Sequence, residues 1–237
     1  MTDDATTPPD PGEALLDAVL AHVPFTGWSD AALREAIRET GIEPALARAL
    51  FPRGGVDLAL AFHDRCDRGM LTRLEATDLS ALRFRDRIAT ALRLRLEVIG
   101  DPDLLRRAMT LLALPQNAAE GARAIWTTVD LVWTALGDRD DDVNWYTKRA
   151  SLASVYSATA LYWLGDSSPG HVRTWAFLDR RLDEVLRLES LKARINANPF
   201  LKPFMLVPNA IGSRIRPPAS ARWPNDPSAH FHHEGEA

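Results

Sequence analysis

The densest group of side chains that could bind a metal ion is a run of four aspartates, Asp138, Asp140, Asp141 and Asp142. A calcium loop places a glycine at its turn and a glutamate at its end, and neither is found in this run. Asp142 directly precedes a predicted helix, where a carboxylate can accept hydrogen bonds from the first N–H groups. We therefore interpret the run as a solvated turn that ends in a helix cap.

The sequence contains no set of residues spaced for a familiar kind of catalysis. It has no Glu-x-x-His pair, which excludes the usual di-iron site of a helical bundle. The metalloprotease His-Glu-x-x-His, the hydrolase Gly-x-Ser-x-Gly, the dinucleotide-binding Gly-x-Gly-x-x-Gly and the P-loop are also missing. His22, His63 and His171 are isolated from one another in the sequence. We therefore expect a protein that is not an enzyme and that holds no metal or cofactor.

Residues 143–164 predict one long helix, around which we expect the rest of the chain to be organised. Its middle and C-terminal turns are almost entirely apolar or small, so they should be buried. Lys148 and Arg149, near its start, should reach solvent. Trp145 and Tyr146 lie in the same first turns, where a ring is hardest to bury. This pair predicts either a docking surface or an aromatic lid over the end of the core.

The other segments predict helices only. Alternating apolar and polar runs typical of strands are absent, and glycines and prolines fall between helical periods. The remaining predicted helices cover, approximately, residues 13–23, 30–39, 44–50, 56–74, 79–99, 102–112, 119–136 and 169–188. Pro24 should end the first of them. The predicted fold class is all-α.

The interior of the larger helical part has two interpretations. Small residues between Ala150 and Ala160 either let neighbouring helices approach closely or leave a tunnel, and the density of protein interiors favours close approach. Trp126 and Trp133 form a stripe on the helix before them. Such a stripe more often packs in the hydrophobic core than lines a ligand-binding site.

Cys66 and the arginines that follow it are expected to be structural. Cys66 is the sole cysteine and lies inside a predicted helix, which favours a small buried side chain over a nucleophile. The arginines of the next helix could bind phosphates, but a solvated helix face is favoured. These are Arg83, Arg85, Arg87, Arg93 and Arg95.

Residues 13–55 predict three short helices, with a turn at Gly41 between the second and the third. This helix-turn-helix layout resembles the N-terminal domain of TetR-type regulators. The third helix would be the recognition helix, yet residues 44–50 offer Arg48 as their sole polar side chain. From Glu13 to Cys66, five arginines are outnumbered by eight acidic residues, whereas DNA binding needs local positive charge. We interpret the unit as a scaffold that does not bind nucleic acid.

Composition and charge restrict the class of protein further. The 237 residues are 46% hydrophobic and 25% charged, which is enough for a globular fold with a large core. A net charge of −4 provides no basic excess for a polyanion. No stretch approaches the ~20 apolar residues of a membrane span, and the acidic, proline-rich start is unlike a mitochondrial presequence. We expect a protein of the bacterial cytoplasm, which the apolar terminal segment would associate peripherally with the inner membrane.

One region also resembles a known family. Two groups of residues carry the resemblance: Asp142, Asn144, Trp145, Tyr146, Thr147 and Arg149, and then Asp166, Ser167, Ser168, Trp175, Phe177 and Leu178. Together they resemble the C-terminal signature of the Coq-nine family. Members of this family are lipid-binding accessory proteins of ubiquinone biosynthesis. The resemblance is good from about residue 104 to residue 181 and weaker over the N-terminal third.

The resemblance implies a TetR-like helical bundle whose larger C-terminal part has become an isoprenoid lipid site. It implies a non-catalytic protein that binds a polyprenylated quinone precursor and presents it to a membrane-associated hydroxylase. The implied contacts are Asp142, Trp145 and Tyr146 for the hydroxylase, and Trp126, Trp133, Ala153 and Ser157 for the lipid. We also expect a homodimer. The alternative is a ligand-responsive transcriptional regulator of the TetR type.

The end of the chain differs in character from the helices. Phe200, Phe204, Met205 and Ile211 are apolar, but prolines interrupt the segment that contains them. Either a strap folded over the body or an interfacial segment would satisfy both facts, and by resemblance these four residues would contact a membrane. The predicted organisation is a disordered lead-in (1–12), a helix-turn-helix-like unit (13–55), a ligand-binding helical domain (56–190), a membrane-associating segment (191–216) and a disordered tail (217–237).

Overall fold

The structure, a computed structural model, describes residues 10–138 and 143–197. Within those ranges the chain forms nine α-helices and one 3-10 turn and no strand, which confirms the all-α prediction. The helices are α1 (Pro11–Thr26), α2 (Asp30–Thr40), α3 (Pro44–Leu50), α4 (Gly55–Glu75), α5 (Phe84–Glu97), α6 (Pro102–Leu112), α7 (Ala118–Ala135), α8 (Val143–Gly165) and α9 (Val172–Ala197), and the 3-10 turn is Pro169–His171. None of these helices is long and apolar enough to cross a membrane.

The first helix is longer at both ends than its sequence pattern predicts. It begins at Pro11, inside the predicted lead-in, because the carboxylate of Asp10 accepts a hydrogen bond from the Gly12 N–H (2.9 Å). The expectation that Pro24 ends the helix is wrong. Pro24 lies in the last turn, and the helix closes at Gly27, whose positive φ of 71° allows the chain to turn away.

Two later helices also have different ends from those predicted. α5 starts at Phe84 rather than near residue 79, because the preceding residues form a turn in which the Arg87 side chain donates to the Leu82 carbonyl (2.9 Å). α9 continues to Ala197, so the first residues of the predicted segment 191–216 are helical. The predicted membrane contacts Phe200, Phe204, Met205 and Ile211 lie outside the described residues.

Asp166 organises the connection from α8 to α9. Its carboxylate accepts hydrogen bonds from the backbone N–H of Ser168 (2.9 Å) and from both the N–H and the hydroxyl of Thr174 (2.9 and 2.7 Å). These hydrogen bonds, with Ser168 first, lower the pKa of Asp166 well below its ordinary range. The start of α9 is therefore fixed against the end of α8.

The helices share one continuous hydrophobic core. α1 packs along α2, α4 packs on α5 and α7, and α8 lies between α7 and α9. Trp28 joins the three N-terminal helices to the rest: its ring lies 5.2 Å from that of Phe62, and its indole N–H donates to the Leu104 carbonyl (3.0 Å). The small N-terminal unit and the larger bundle thus pack through a shared, buried contact.

Candidate functional site

Three aromatic side chains meet where α7 packs against the start of α8. The rings of Trp145 and Tyr146 lie edge to face, with centroids 4.7 Å apart. Trp126, on α7, is 5.8 Å from Trp145 and 6.3 Å from Tyr146. All three are half-buried, so each presents part of its ring to solvent. We call Trp126, Trp145 and Tyr146 the aromatic cluster.

A buried arginine fixes the cluster from beneath. The guanidinium carbon of Arg149 lies 4.0 Å from the centroid of the Trp145 ring, within cation–π distance. Its nitrogens donate to the carboxylates of Asp130 and Asp138 and to the Trp145 carbonyl. Lys148 also bonds Asp138 (2.8 Å). The expectation that Arg149 reaches solvent is wrong: it is 2% exposed, because the aspartates of α7 and of the following turn neutralise it inside the protein.

The predicted lipid contacts are distributed over two helices. Trp126 belongs to the aromatic cluster, beside the predicted docking residues. Trp133 is buried two turns further along α7, where its ring packs 5.7 Å from that of Phe84. Ala153 and Ser157 are half-buried on α8. Asp142, the third predicted docking residue, lies outside the described residues.

A second polar group lies deep in the larger bundle. Arg95 on α5 donates to the carboxylate of Asp67 on α4, and its second terminal nitrogen donates to the His63 carbonyl (3.2 Å). The hydroxyl of Thr128 on α7 contacts both oxygens of Asp67 (2.9 and 3.0 Å). Arg95 and Asp67 are each 1% exposed and Thr128 is fully buried. We call His63, Asp67, Arg95 and Thr128 the buried polar centre.

The prediction that Arg95 lies on a solvated face is therefore wrong. Arg95 stands seven residues after Ile88 and three after Leu92, two buried residues of α5, and this spacing places all three on the same side of the helix. The helical period could have revealed its burial from the sequence. Its partner Asp67 could not be found in that way, because the pairing depends on how α4 and α5 rotate against each other.

Burial keeps His63 and Cys66 uncharged beside the ion pair of Arg95 and Asp67. Desolvation lowers the pKa of His63 to about 4, against the opposing charge of Asp67. The neutral ring places Nε2 2.8 Å from the Thr128 hydroxyl and 3.2 Å from the Ala124 carbonyl. Desolvation raises the pKa of Cys66 to about 11, and this confirms a buried, structural cysteine. The centre is electrically balanced, with one guanidinium and one carboxylate.

The fold and these sites define a class of protein: an all-α protein built on the TetR-like helical architecture. The TetR transcriptional regulator from Nitrosomonas europaea ATCC 19718 has the same fold, with a TM-score of 0.62 and 21% identity over 75% of this chain and 99% of that one. This likeness concerns the fold alone. Residues 118–189 match the COQ9 family model. The chain belongs to the COQ9 family, as its signature residues had indicated.

Curated relatives agree with this family. The chain is 37% identical over 182 residues to the mitochondrial ubiquinone biosynthesis protein COQ9 of Drosophila melanogaster, a match that covers 75% of this chain and 56% of that protein. It is 32% identical over 186 residues to the human protein of the same name, covering 73% of this chain and 57% of that one. The chain spans little more than half the length of these relatives.

The names of these relatives also correct one expectation. The Drosophila, Dictyostelium, human and rat proteins are all named as mitochondrial. The predicted location in a bacterial cytoplasm is therefore contradicted. The composition of the first residues, on which that prediction rested, was a poor guide to location.

Proposed function

We propose that this protein is a non-catalytic accessory protein of ubiquinone biosynthesis, which binds a polyprenylated quinone precursor and presents it to a membrane-associated hydroxylase. Its relatives carry names in ubiquinone biosynthesis, and this supports the pathway. The structural observation that carries the proposal is the aromatic cluster, which is half-exposed and held in place by a buried arginine.

The aromatic cluster has the physical properties of a protein docking surface. Trp and Tyr bury a large area on binding and lose little conformational entropy, and they dominate the energetics of many interfaces. Trp145 is already held by Arg149 before any partner arrives. A preorganised ring costs less to bind than a mobile one. We therefore assign Trp145 and Tyr146 to hydroxylase docking and add Trp126, which contacts both of them.

Two other features belong to this proposal. The lipid would lie in the larger bundle, against the wall that includes Trp133, Ala153 and Ser157, and the segment with Phe200 and Phe204 would contact the membrane.

A homodimer is supported by exposed apolar side chains at the end of α8 and the start of α9. Leu161 and Val172 are each 60% exposed.

The alternative function, a TetR-type transcriptional regulator, would need α3 to read DNA. In α3 only Ala47 is buried, and the exposed surface includes Leu46 and Leu50 at 42% and 40% exposure. Arg48 is its sole charged side chain. A recognition helix presents polar and basic groups to base edges and phosphates, so this surface does not favour the regulator.

The docking proposal is tested by capture of the hydroxylase of the ubiquinone pathway from its host, with this protein as bait. We expect Trp145→Ala to reduce capture at least about tenfold, the scale of an interface hot spot. Phe25→Ala, which removes an exposed ring from α1, is the matched control and should leave capture unchanged. Equal capture by wild type and Trp145→Ala would remove the docking assignment.

The lipid proposal is tested separately, by native mass spectrometry of protein purified from its own host and by organic extraction of what it carries. A prenylated quinone or phenol is the expected ligand. Protein that carries no lipid under gentle conditions, and that takes up none from vesicles containing a prenylated quinone, would contradict lipid binding.

A further inference from the structure

Tyr156 has a buried hydroxyl group without a hydrogen-bond partner among the described residues. It lies in the middle of α8 and is only 3% exposed. More than about nine in ten buried polar groups in proteins have a partner, because an unpaired one loses its hydrogen bonds to water and gains nothing. The hydroxyl of Tyr156 therefore calls for an explanation.

Tyr156 adjoins the buried polar centre. The guanidinium carbon of Arg95 lies 6.0 Å from the centroid of its ring. Residues of four helices thus converge here, with Asp67 on α4, Arg95 on α5, Thr128 on α7 and Tyr156 on α8. The surrounding interior is apolar, so this is a polar point at the middle of the core of the larger bundle.

The buried polar centre does not satisfy Tyr156 from within. The Thr128 hydroxyl lies within hydrogen-bonding distance of both oxygens of Asp67 and shares its one hydrogen between them, and one of these oxygens also accepts from Arg95. The neutral ring of His63 bonds Thr128 and the Ala124 carbonyl. These residues bond one another, and none of the residues that the structure describes provides a partner for the hydroxyl of Tyr156.

We propose that the hydroxyl of Tyr156 hydrogen-bonds an oxygen atom of a neutral aromatic or quinonoid head group, on a ligand whose apolar chain lies among the helices of the larger bundle. This inference rests on the proposed function as a carrier of a quinone precursor and names the residue that recognises its head group. The bond requires only that the hydroxyl donates to a carbonyl oxygen, or exchanges a hydrogen bond with a phenol.

Charge selects a neutral head group over a phosphate. The guanidinium of Arg95 is neutralised by Asp67 at bonding distance, so the site holds no uncompensated cation for an anion. A buried anion without a paired cation is strongly disfavoured. Desolvation also raises the pKa of Tyr156 to about 12, so its hydroxyl keeps the proton that it donates.

The test compares two ligands that carry the same decyl chain on a planar six-membered ring: a benzoquinone with two carbonyl oxygens, and decylbenzene with none. Apparent Kd values come from the rise of Tm with ligand concentration, which reports binding to the folded protein. We expect Tyr156→Phe to weaken quinone binding about five- to tenfold, the usual value of one hydrogen bond, and to change decylbenzene binding by less than about twofold. The ligand-free variant should have an unchanged or higher Tm, because it loses no bond within the protein.

Tyr162→Phe is the matched control on the same helix, since the Tyr162 ring stacks on Phe177 near the surface, and it should bind both ligands as wild type does.

If wild type binds the quinone and Tyr156→Phe binds it equally well, the assignment of Tyr156 is wrong although the proposed function stands. An equal loss for both ligands, or a lower Tm of the ligand-free variant, would make Tyr156 a packing residue and overturn the inference. If wild type binds neither ligand, the lipid-binding function fails as well. Tighter binding of dodecyl phosphate than of the quinone would overturn the preference for a neutral head group.

Discussion

The guanidinium of Arg149 lies 4.0 Å beneath the ring of Trp145, and this contact connects a buried salt-bridge group to a half-exposed aromatic surface. The arginine is held by Asp130 on α7 and by Asp138 in the turn that follows α7. The orientation of the tryptophan therefore depends on a buried guanidinium and on the two carboxylates paired with it.

Replacement of this arginine should weaken both the fold and the docking surface. Arg149→Met leaves Asp130 and Asp138 without their shared cation, and we expect the free energy of unfolding to fall by about 2–4 kcal/mol. Urea denaturation measures this loss. Arg38→Met, which breaks an exposed pair with Glu35 on α2, is the control and should cost less than about 1 kcal/mol. Equal losses for the two variants would show that the Arg149 group contributes no more than a surface pair.

The buried pair between Arg95 and Asp67 allows a double-mutant test. Arg95→Met leaves a buried carboxylate without its cation, so we expect a loss of about 3–5 kcal/mol. Adding Asp67→Leu removes the stranded charge and should restore more than half of that loss. Arg93→Met, on the exposed side of the same helix, should cost less than about 1 kcal/mol. If the double variant is less stable than Arg95→Met, the pair does not behave as a closed ionic unit.

His63 should make the protein sensitive to mild acid. Its pKa is about 4 in the folded protein and 6.5 ordinarily, so between these pH values the unfolded chain takes up a proton that the folded protein does not. Its contribution to stability is complete above pH 6.5 and is lost as the pH falls toward 4. His63→Gln keeps a donor near Thr128 and removes the titration. The stability of wild type relative to this variant should fall by up to about 3 kcal/mol from pH 7 to pH 4 in urea denaturation.

Asp64, the neighbour of His63, provides a control of opposite sign. Burial raises its pKa to about 6, with a further contribution from the charge of Asp67, so the folded protein retains a proton that the unfolded chain releases. Its contribution to stability is present below pH 3.8 and is lost as the pH rises through 6. Wild type should therefore lose stability relative to Asp64→Asn as the pH rises over this window. A pH profile that is parallel for wild type and both variants would contradict the burial of these groups.

The end of α8 should form the contact between two copies of the chain. Leu161→Glu places a charge on an apolar surface that a second copy would cover, so we expect it to convert a dimer to a monomer. Sedimentation equilibrium of wild type and variant measures the change. Leu114→Glu alters another exposed leucine, just after α6, and should leave the mass unchanged. A monomeric wild type would contradict the homodimer.

Local signals in the sequence predict helix positions well where a cap and a proline coincide. α6 begins and ends at its predicted residues, since Asp101 caps it and Pro102 occupies its first turn. α3 likewise matches, with Glu43 and Pro44 at its start. These features depend only on neighbours in the chain.

The sites could be predicted only in part, because they depend on how helices rotate against one another. Trp145 and Tyr146 were found from their place at the start of α8, and family resemblance gave them a role. That Trp126 joins them, rather than Trp133, follows from the crossing of α7 and α8. The unpaired hydroxyl of Tyr156 is visible only once the partners of every neighbour are known.

Helix α8 also fixes the distance between the aromatic cluster and Tyr156. Trp145 and Tyr156 are separated by eleven residues, which is close to three full turns, so both project from the same side of one continuous helix about 16 Å apart. The docked hydroxylase and the bound head group would therefore be held a fixed distance apart along α8. This interval restricts how the sequence can change: a single residue inserted between the two would rotate one by about 100° relative to the other, whereas substitutions preserve their alignment.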